Sequence, residues 1–136
     1  EYTIYMSFHN KNGKLGEVIA KAFLMKQGLS FLGANFTSYH RGEIDLIFES
    51  KELSKLHFIE VKSIRVNSLM KESKGHIDPR DNFTKDKYSK LIKTIEYYCI
   101  LNNVRNQAWQ LDLACVYIDM TTRQAKVEYI SNIVLE

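Results

Sequence analysis

Apolar residues recur at helical spacing early in the chain. Leu15, Val18, Ile19, Ala22 and Met25 fall three or four apart, and Gly28 is a natural stop, which predicts a helix over about Lys11 to Gly28. Phe31 to Tyr39 reads as a strand, and His40-Arg41-Gly42 as a tight turn. Two further strands follow, Gly42-Glu43-Ile44-Asp45-Leu46-Ile47 and Phe58-Ile59-Glu60-Val61-Lys62. Between Asn67 and Asn82 apolar residues are few, and Gly75 and Pro79 predict a long loop, of the kind that is usually functional or disordered. Helical spacing returns from about Thr84 to Leu101 through Tyr88, Leu91, Ile92, Ile95 and Cys99. Gln110 to Asp119 and Lys126 to Ile133 read as strands, the last one short and at an edge. The order is helix, three strands, helix, two strands. It predicts an α/β fold bordering on α+β, with a mixed central sheet flanked by helices.

Both central strands carry acidic residues inside apolar runs, where an unpaired buried charge costs several kcal/mol. Residues two apart on a strand share a face, so Glu60 and Lys62 project together. If the two strands form a hairpin connected over Ser50 to Lys55, pairing about a centre between Glu52 and Leu53 sets Asp45 opposite Glu60. Opposed Cβ atoms lie about 4.5–5.5 Å apart, and carboxylates that close repel unless a proton or cation sits between them. A slip of one residue would turn Asp45 to the other face. An oxygen-only site suits Mg²⁺ or Mn²⁺ rather than zinc. Glu17 follows Gly16 beside Ala20 and Leu24, and approaches the pair if its helix packs over the sheet. Plainer readings stand beside each of these. Asp45 could cap a turn, Glu60 and Lys62 could form an ordinary salt bridge, and Glu17 could be an exposed partner of Lys14 or Lys21.

Length and charge narrow the classes. The chain of 136 residues reads as a single domain over 1–136, long enough to bury a core. A net charge of +3 is compatible with nucleic acid without being evidence for it. No apolar run approaches the ~18 residues of a membrane helix, and no secretory signal is visible, so no membrane partner is expected. Cys99 and Cys115 sit in apolar contexts and read as buried thiols of a cytoplasmic protein. The four histidines lack zinc-ligand spacing. Lys71, Lys74, Arg80 and Arg65 make the long loop basic, and Lys87 and Lys90 lie off the apolar stripe of the second helix. Such a set can hold a phosphate backbone without reading sequence, or be a solvated face. Tyr39 and Phe83 could stack on bases or pack in the core.

With Glu17 on a preceding helix, Asp45 followed by Glu60-Val61-Lys62 resembles the PD-(D/E)XK nuclease superfamily. The fuller string runs from Gly16-Glu17 through Gly42-Glu43-Ile44-Asp45-Leu46-Ile47 and Ile59-Glu60-Val61-Lys62 to Lys87 and Leu91. It resembles the small bacterial YraN-like family of endonuclease-like proteins, similar to archaeal Holliday junction resolvases, from about Lys14 to Val134. The resemblance implies a restriction-endonuclease-like core and a Mg²⁺- or Mn²⁺-dependent endonuclease hydrolysing phosphodiester bonds in DNA, branched DNA included, with RNA a second candidate. Asp45 and Glu60 would be metal ligands, and Glu17 would complete the acidic cluster directly or through a water. Lys62 would orient or activate the attacking water and stabilise the developing charge. Lys87 would lie near the site or the phosphate backbone, with Lys90 and Arg65 as further contacts. Asp112 matches an aspartate common in the family, with a structural role the safer expectation. Junction-cleaving relatives work as dimers, which implies a homodimer, and the exposed face of Lys126 to Ile130 is one contact for it.

Two departures stand out. Ile44 replaces the proline of the superfamily name, and Ile64 separates Ser63 from Arg65, shifting the arginine by one residue. The competing function is a nucleic-acid-binding protein that keeps the nuclease fold with little or no catalysis. An interaction protein with a structural acidic cluster ranks behind both.

Overall fold

The computed structural model describes residues 2–5, 14–39, 42–68 and 83–135. In chain order they form β1 (Tyr2–Tyr5), α1 (Leu15–Lys26), β2 (Ser30–Thr37), β3 (Glu43–Ser50), β4 (Lys55–Val66), α2 (Lys85–Leu101), β5 (Ala108–Asp119) and β6 (Gln124–Ile130). The strands make one six-stranded sheet in the order β1-β6-β5-β4-β3-β2. Only β4 and β5 pair in parallel, and a parallel pair needs a crossover, which α2 supplies. Every residue of β5 from Leu111 to Asp119 is buried, as befits a central strand covered on both faces. The result is the mixed α/β sandwich of a restriction-endonuclease-like core.

The two sheet faces carry separate cores. Leu15, Ile19, Phe23 and Leu24 of α1 pack on Leu46, Phe48, Ile59 and Val116. Leu91, Ile95 and Cys99 of α2 pack on Ile44, Phe58, Leu113 and Tyr117, with Phe83 buried among them. Phe83 is therefore a core residue, whereas Tyr39 is exposed. Both cysteines are buried and form no disulfide. Among the described residues no helix is long and apolar enough to cross a membrane.

Local chemistry sets the element ends. Thr84 caps α2, its Oγ1 accepting from the Lys87 N–H at 3.1 Å. Asn103 at φ 58° closes that helix, while Val104 N donates to Cys99 O at 2.9 Å. Gly28 at φ 91° ends α1, where a side chain would be strained. The β3–β4 register is the expected one: Ser50 faces Lys55 and Leu46 faces Ile59, so the next positions are Asp45 and Glu60.

Four expectations need correction. The helix expected from Lys11 begins at Leu15, and Lys14 offers no side-chain cap. Its buried face is rotated from the expected stripe. Val18 and Met25 are 46% and 54% exposed, and Gly16, Ala20, Phe23 and Leu24 are buried instead. The reason is that small residues at 16 and 20 let the helix approach the sheet more closely than β-branched Val18 would. β1 was not foreseen, and it pairs along β6 from Tyr2 and Val127 to Tyr5 and Gln124. β6 is therefore flanked on both sides and is not an edge strand. Of the long basic loop, residues 69–82, with Lys71, Lys74 and Arg80, lie outside the described residues.

Candidate active site

Asp45 sits where the sheet loosens. On one side of β3, pairing with β2 holds at Ala34 and Leu46 and again at Phe36 and Ile44, and the intervening Asn35 adopts φ 53°. On the other side, the ladder to β4 stops at Leu46 and Ile59. The Val61 N–H, just beyond that point, donates to Asp45 Oδ2 at 2.7 Å. Asparagine tolerates the left-handed conformation better than most residues. At this kink its side-chain Nδ2 donates to Glu17 Oε1 at 2.9 Å. Glu17 thus faces the sheet rather than pairing with Lys14 or Lys21. Lys21 lies instead over the Phe31 ring, 3.8 Å from its centroid.

Asp45 and Glu60 are both buried and line the same cavity. Burial, then the hydrogen bond and charge of Glu60, push the Asp45 carboxyl well above the usual carboxylate range; the Val61 N–H opposes this and the Glu17 charge adds to it. On the far side of Glu60, Lys87 Nζ lies 2.8 Å from Oε2. Asp45 thus holds a proton beside Glu60, whose other side meets the Lys87 ammonium.

Two cavities adjoin this chain. One, of about 310 Å³, is lined by Gly42, Glu43, Asp45, Glu60, Lys87 and Lys90 among others. The other, of about 240 Å³, is lined by Glu60, Lys62, Ser63, Phe83, Lys87 and Leu113 among others. Lys62 is half-buried in the second cavity. Lys90 pairs with Asp86 at 3.1 Å on the exposed face of α2. Thr94 fixes the entry to β3, its Oγ1 donating toward Gly42 O at 3.2 Å and Lys90 O at 2.8 Å.

The structure thus gathers Asp45, Glu60, Lys62, Lys87 and Lys90, with Glu17 at the margin. Arg65 is not among them. It faces Ile118, a residue of the α1-side core, while the inserted Ile64 packs toward α2. Asn35, Glu43 and Asp86 were missed. Asn35 had a signal, a turn-forming residue inside an apolar strand; Glu43 and Asp86 look like ordinary surface acids.

An oxygen-only donor set of two buried carboxylates on one cavity, with a third nearby, fits a hard divalent ion that retains several waters. The fit is partial in one respect. Among the described residues no three acidic, histidine or cysteine side chains already stand grouped for an ion, and Glu17 is tied to Asn35.

Residues 16–124, which contain all of these side chains, match the family described as Uncharacterised protein family UPF0102. The chain belongs to this family. A UPF0102 protein of Campylobacter lari is 40% identical over 107 residues, covering 79% of this chain and 84% of that protein. One from a Sulfurovum species is 32% identical over 123 residues, 90% and 93% of the two chains. Campylobacter concisus has another, 39% identical over 104 residues, 76% and 81% of the two.

The UPF0102 match opens at Gly16, and geometry explains what that residue does here. A Cβ at position 16 would lie 1.8 Å from Ser63 Oγ and 3.1 Å from Ser63 Cβ. A side chain at 16 would have to turn Ser63 Oγ aside and would still press on Ser63 Cβ, next to Glu17. Gly16→Ala should destabilise by about 1–3 kcal/mol through overpacking, although alanine is the better helix former by ~1 kcal/mol. Adding Ser63→Gly should reverse the loss, as thermal denaturation would show; no recovery would place the cost elsewhere.

A second polar cluster, beneath α1, centres on Asp112, which is fully buried. Its carboxylate accepts from His57 Nδ1 at 2.8 Å, Gln110 Nε2 at 2.7 Å, the Asn132 N–H at 2.9 Å and the Tyr129 hydroxyl. Burial alone would raise its carboxyl. The hydrogen bonds from His57, Tyr129, Asn132 and Gln110 outweigh it and hold the group below the usual carboxylate range. Asp112 pairs across from Ile59, on the face opposite Glu60's cavity, so its role is structural.

Proposed function

We propose that this UPF0102 protein is a metal-dependent endonuclease that hydrolyses phosphodiester bonds in DNA, branched forms included. The observation that carries the reading is the Asp45–Glu60 pair, buried on one cavity where the β3–β4 ladder ends, with Lys62 in the adjoining cavity. Asp45 and Glu60, supported by Glu17, would hold Mg²⁺ or Mn²⁺. Such an ion, when bound, neutralises the scissile phosphate and lowers the pKa of a water. Lys62 projects from the same face of β4 as Glu60, where its compact charge can orient the attacking water and offset charge developing on the phosphate. Lys87 and Lys90, on the α2 wall, would meet backbone phosphates and carry no sequence information. Water adds across one P–O bond, leaving a terminal phosphate and a free hydroxyl. A four-way junction presents two symmetric strands, so for that substrate a homodimer is proposed, acting in the cytoplasm.

The test is cleavage of linear duplex, single-stranded, flap and four-way-junction DNA, and of single-stranded RNA, with Mg²⁺, Mn²⁺ or chelator. Cutting should require metal and should fall by about 10²–10⁴-fold in Lys62→Ala. Binding of DNA that is indifferent to chelator, with no cutting of any substrate, would favour the second reading, a binding protein on the nuclease fold. That reading draws on the Lys87–Glu60 pair, which leaves the acidic site already neutralised.

A further inference from the structure

Lys87 has two neighbours that pull it in different directions. Its ammonium is held by Glu60 at 2.8 Å, yet its side chain is half exposed and lies on the wall of both cavities. Glu60 and Lys87 are the two residues those cavities share, so their ion pair stands between the Asp45 side and the Lys62 side. The base of the side chain is fixed by the Thr84 cap, which engages the Lys87 N–H. At the tip, among the described residues, the ammonium has Glu60 and, more distantly, the Phe83 ring, 5.7 Å from its centroid. A lysine is flexible enough to give up one anion for another without moving its helix.

We infer that Lys87 is a resident counter-ion: it holds Glu60 until a divalent ion displaces it, and the released ammonium then serves the nucleic-acid backbone. The inference rests on the proposed metal site. Glu60 cannot satisfy both cations at full strength, since its carboxylate charge is shared between them. Ion binding and Lys87 pairing therefore compete, and the ion that opens the pair also joins the two cavities into one groove with a freed lysine on its wall. Lys87 is in this sense a positioning residue, acting on the ion through Glu60.

The measurement is Mn²⁺ binding to the full chain by isothermal titration calorimetry, without nucleic acid, for wild type, Lys87→Met, Lys87→Gln and Lys93→Met. Lys93 is exposed on the same helix and lines neither cavity, so it controls for lost net charge. Lys87→Met and Lys87→Gln should bind Mn²⁺ about tenfold more tightly than wild type, and Lys93→Met should match wild type. Melting temperatures in chelator should fall for the Lys87 variants and recover with Mn²⁺ more than those of wild type do. Equal or weaker binding in the Lys87 variants, or equal tightening in Lys93→Met, would overturn the counter-ion role and leave the metal site standing. Folded wild type and variants that all fail to bind Mn²⁺ would overturn the metal site itself, and the inference with it.

Discussion

Asp45→Asn should abolish metal-dependent cleavage and, in chelator, make the protein more stable. The two effects share one cause. In the fold Asp45 keeps its proton up to about pH 9, against 3.8 for an ordinary aspartate, because of burial first and Glu60 second. A raised carboxyl contributes stability that is complete below its unfolded pKa and is lost as pH rises through its folded value. Between pH 4 and 9 the wild type should therefore lose stability with a limiting slope of about 1.4 kcal/mol per pH unit. Asparagine does not ionise. Its amide oxygen can accept from Val61 and its amide nitrogen can donate to Glu60, so packing is retained while the slope disappears. In urea denaturation at pH 8 the variant should exceed wild type, by a margin that widens with pH at that slope. Mn²⁺ should stabilise wild type and leave the variant unchanged. A variant with the wild-type slope would mean that the proton is held elsewhere.

The second large effect lies at Asp112. Alanine there removes the acceptor for His57, Gln110, Tyr129 and the Asn132 N–H at once. Four polar groups would be stranded in or near the core, where each unmade hydrogen bond costs about 1–3 kcal/mol before relaxation. Asp112→Ala should lose about 3–5 kcal/mol in all, and Asp112→Asn less, since one amide oxygen remains. His57 already has its Nε2 buried with no partner among the described residues, so it has little else to turn to. Because the Asp112 carboxyl is depressed, its contribution is present above pH 4 and lost as pH falls through its folded value. The variant should thus lose part of the wild-type acid limb in denaturant titrations. Asp112→Asn, if folded, should still bind Mn²⁺; loss of that binding would tie Asp112 to the metal site and contradict a structural role.

These two aspartates also show what the sequence could and could not disclose. Asp45 was legible because its partner is local: a hairpin with a short connection has few registers, and the apolar alternation of both strands selects one. The α2 helix was legible for a similar reason, with Thr84 to cap it and a continuous stripe from Leu91 to Cys99. The structural role of Asp112 was expected through the family resemblance alone; its partners were not legible, since they come from β4, β5, β6 and the segment after β6, and nothing local marks their convergence. The face of α1 was misread because Val18 and Met25 are apolar, whereas the sheet selects helix residues by size, through Gly16 and Ala20. Arg65 was placed among the nucleic-acid contacts on charge, and a single inserted residue in a period-two element turns it to the other face.

The pairing of β1 with β6 ties Tyr2 to Val127, nearly the full span of the chain. A ribosome delivers β1 long before the one strand it pairs with. β2, β3 and β4 have partners as soon as each emerges, while β1 has none until β6 is made. Of these six strands, β1 is thus made before the others and is the last that can join the sheet, and until then its hydrogen-bonding groups depend on water or a chaperone. Closing so long a loop is also entropically slow. Folding from denaturant should accordingly show β1 and β6 as the last amides to gain protection from exchange, after the hairpin that carries Asp45 and Glu60 has formed.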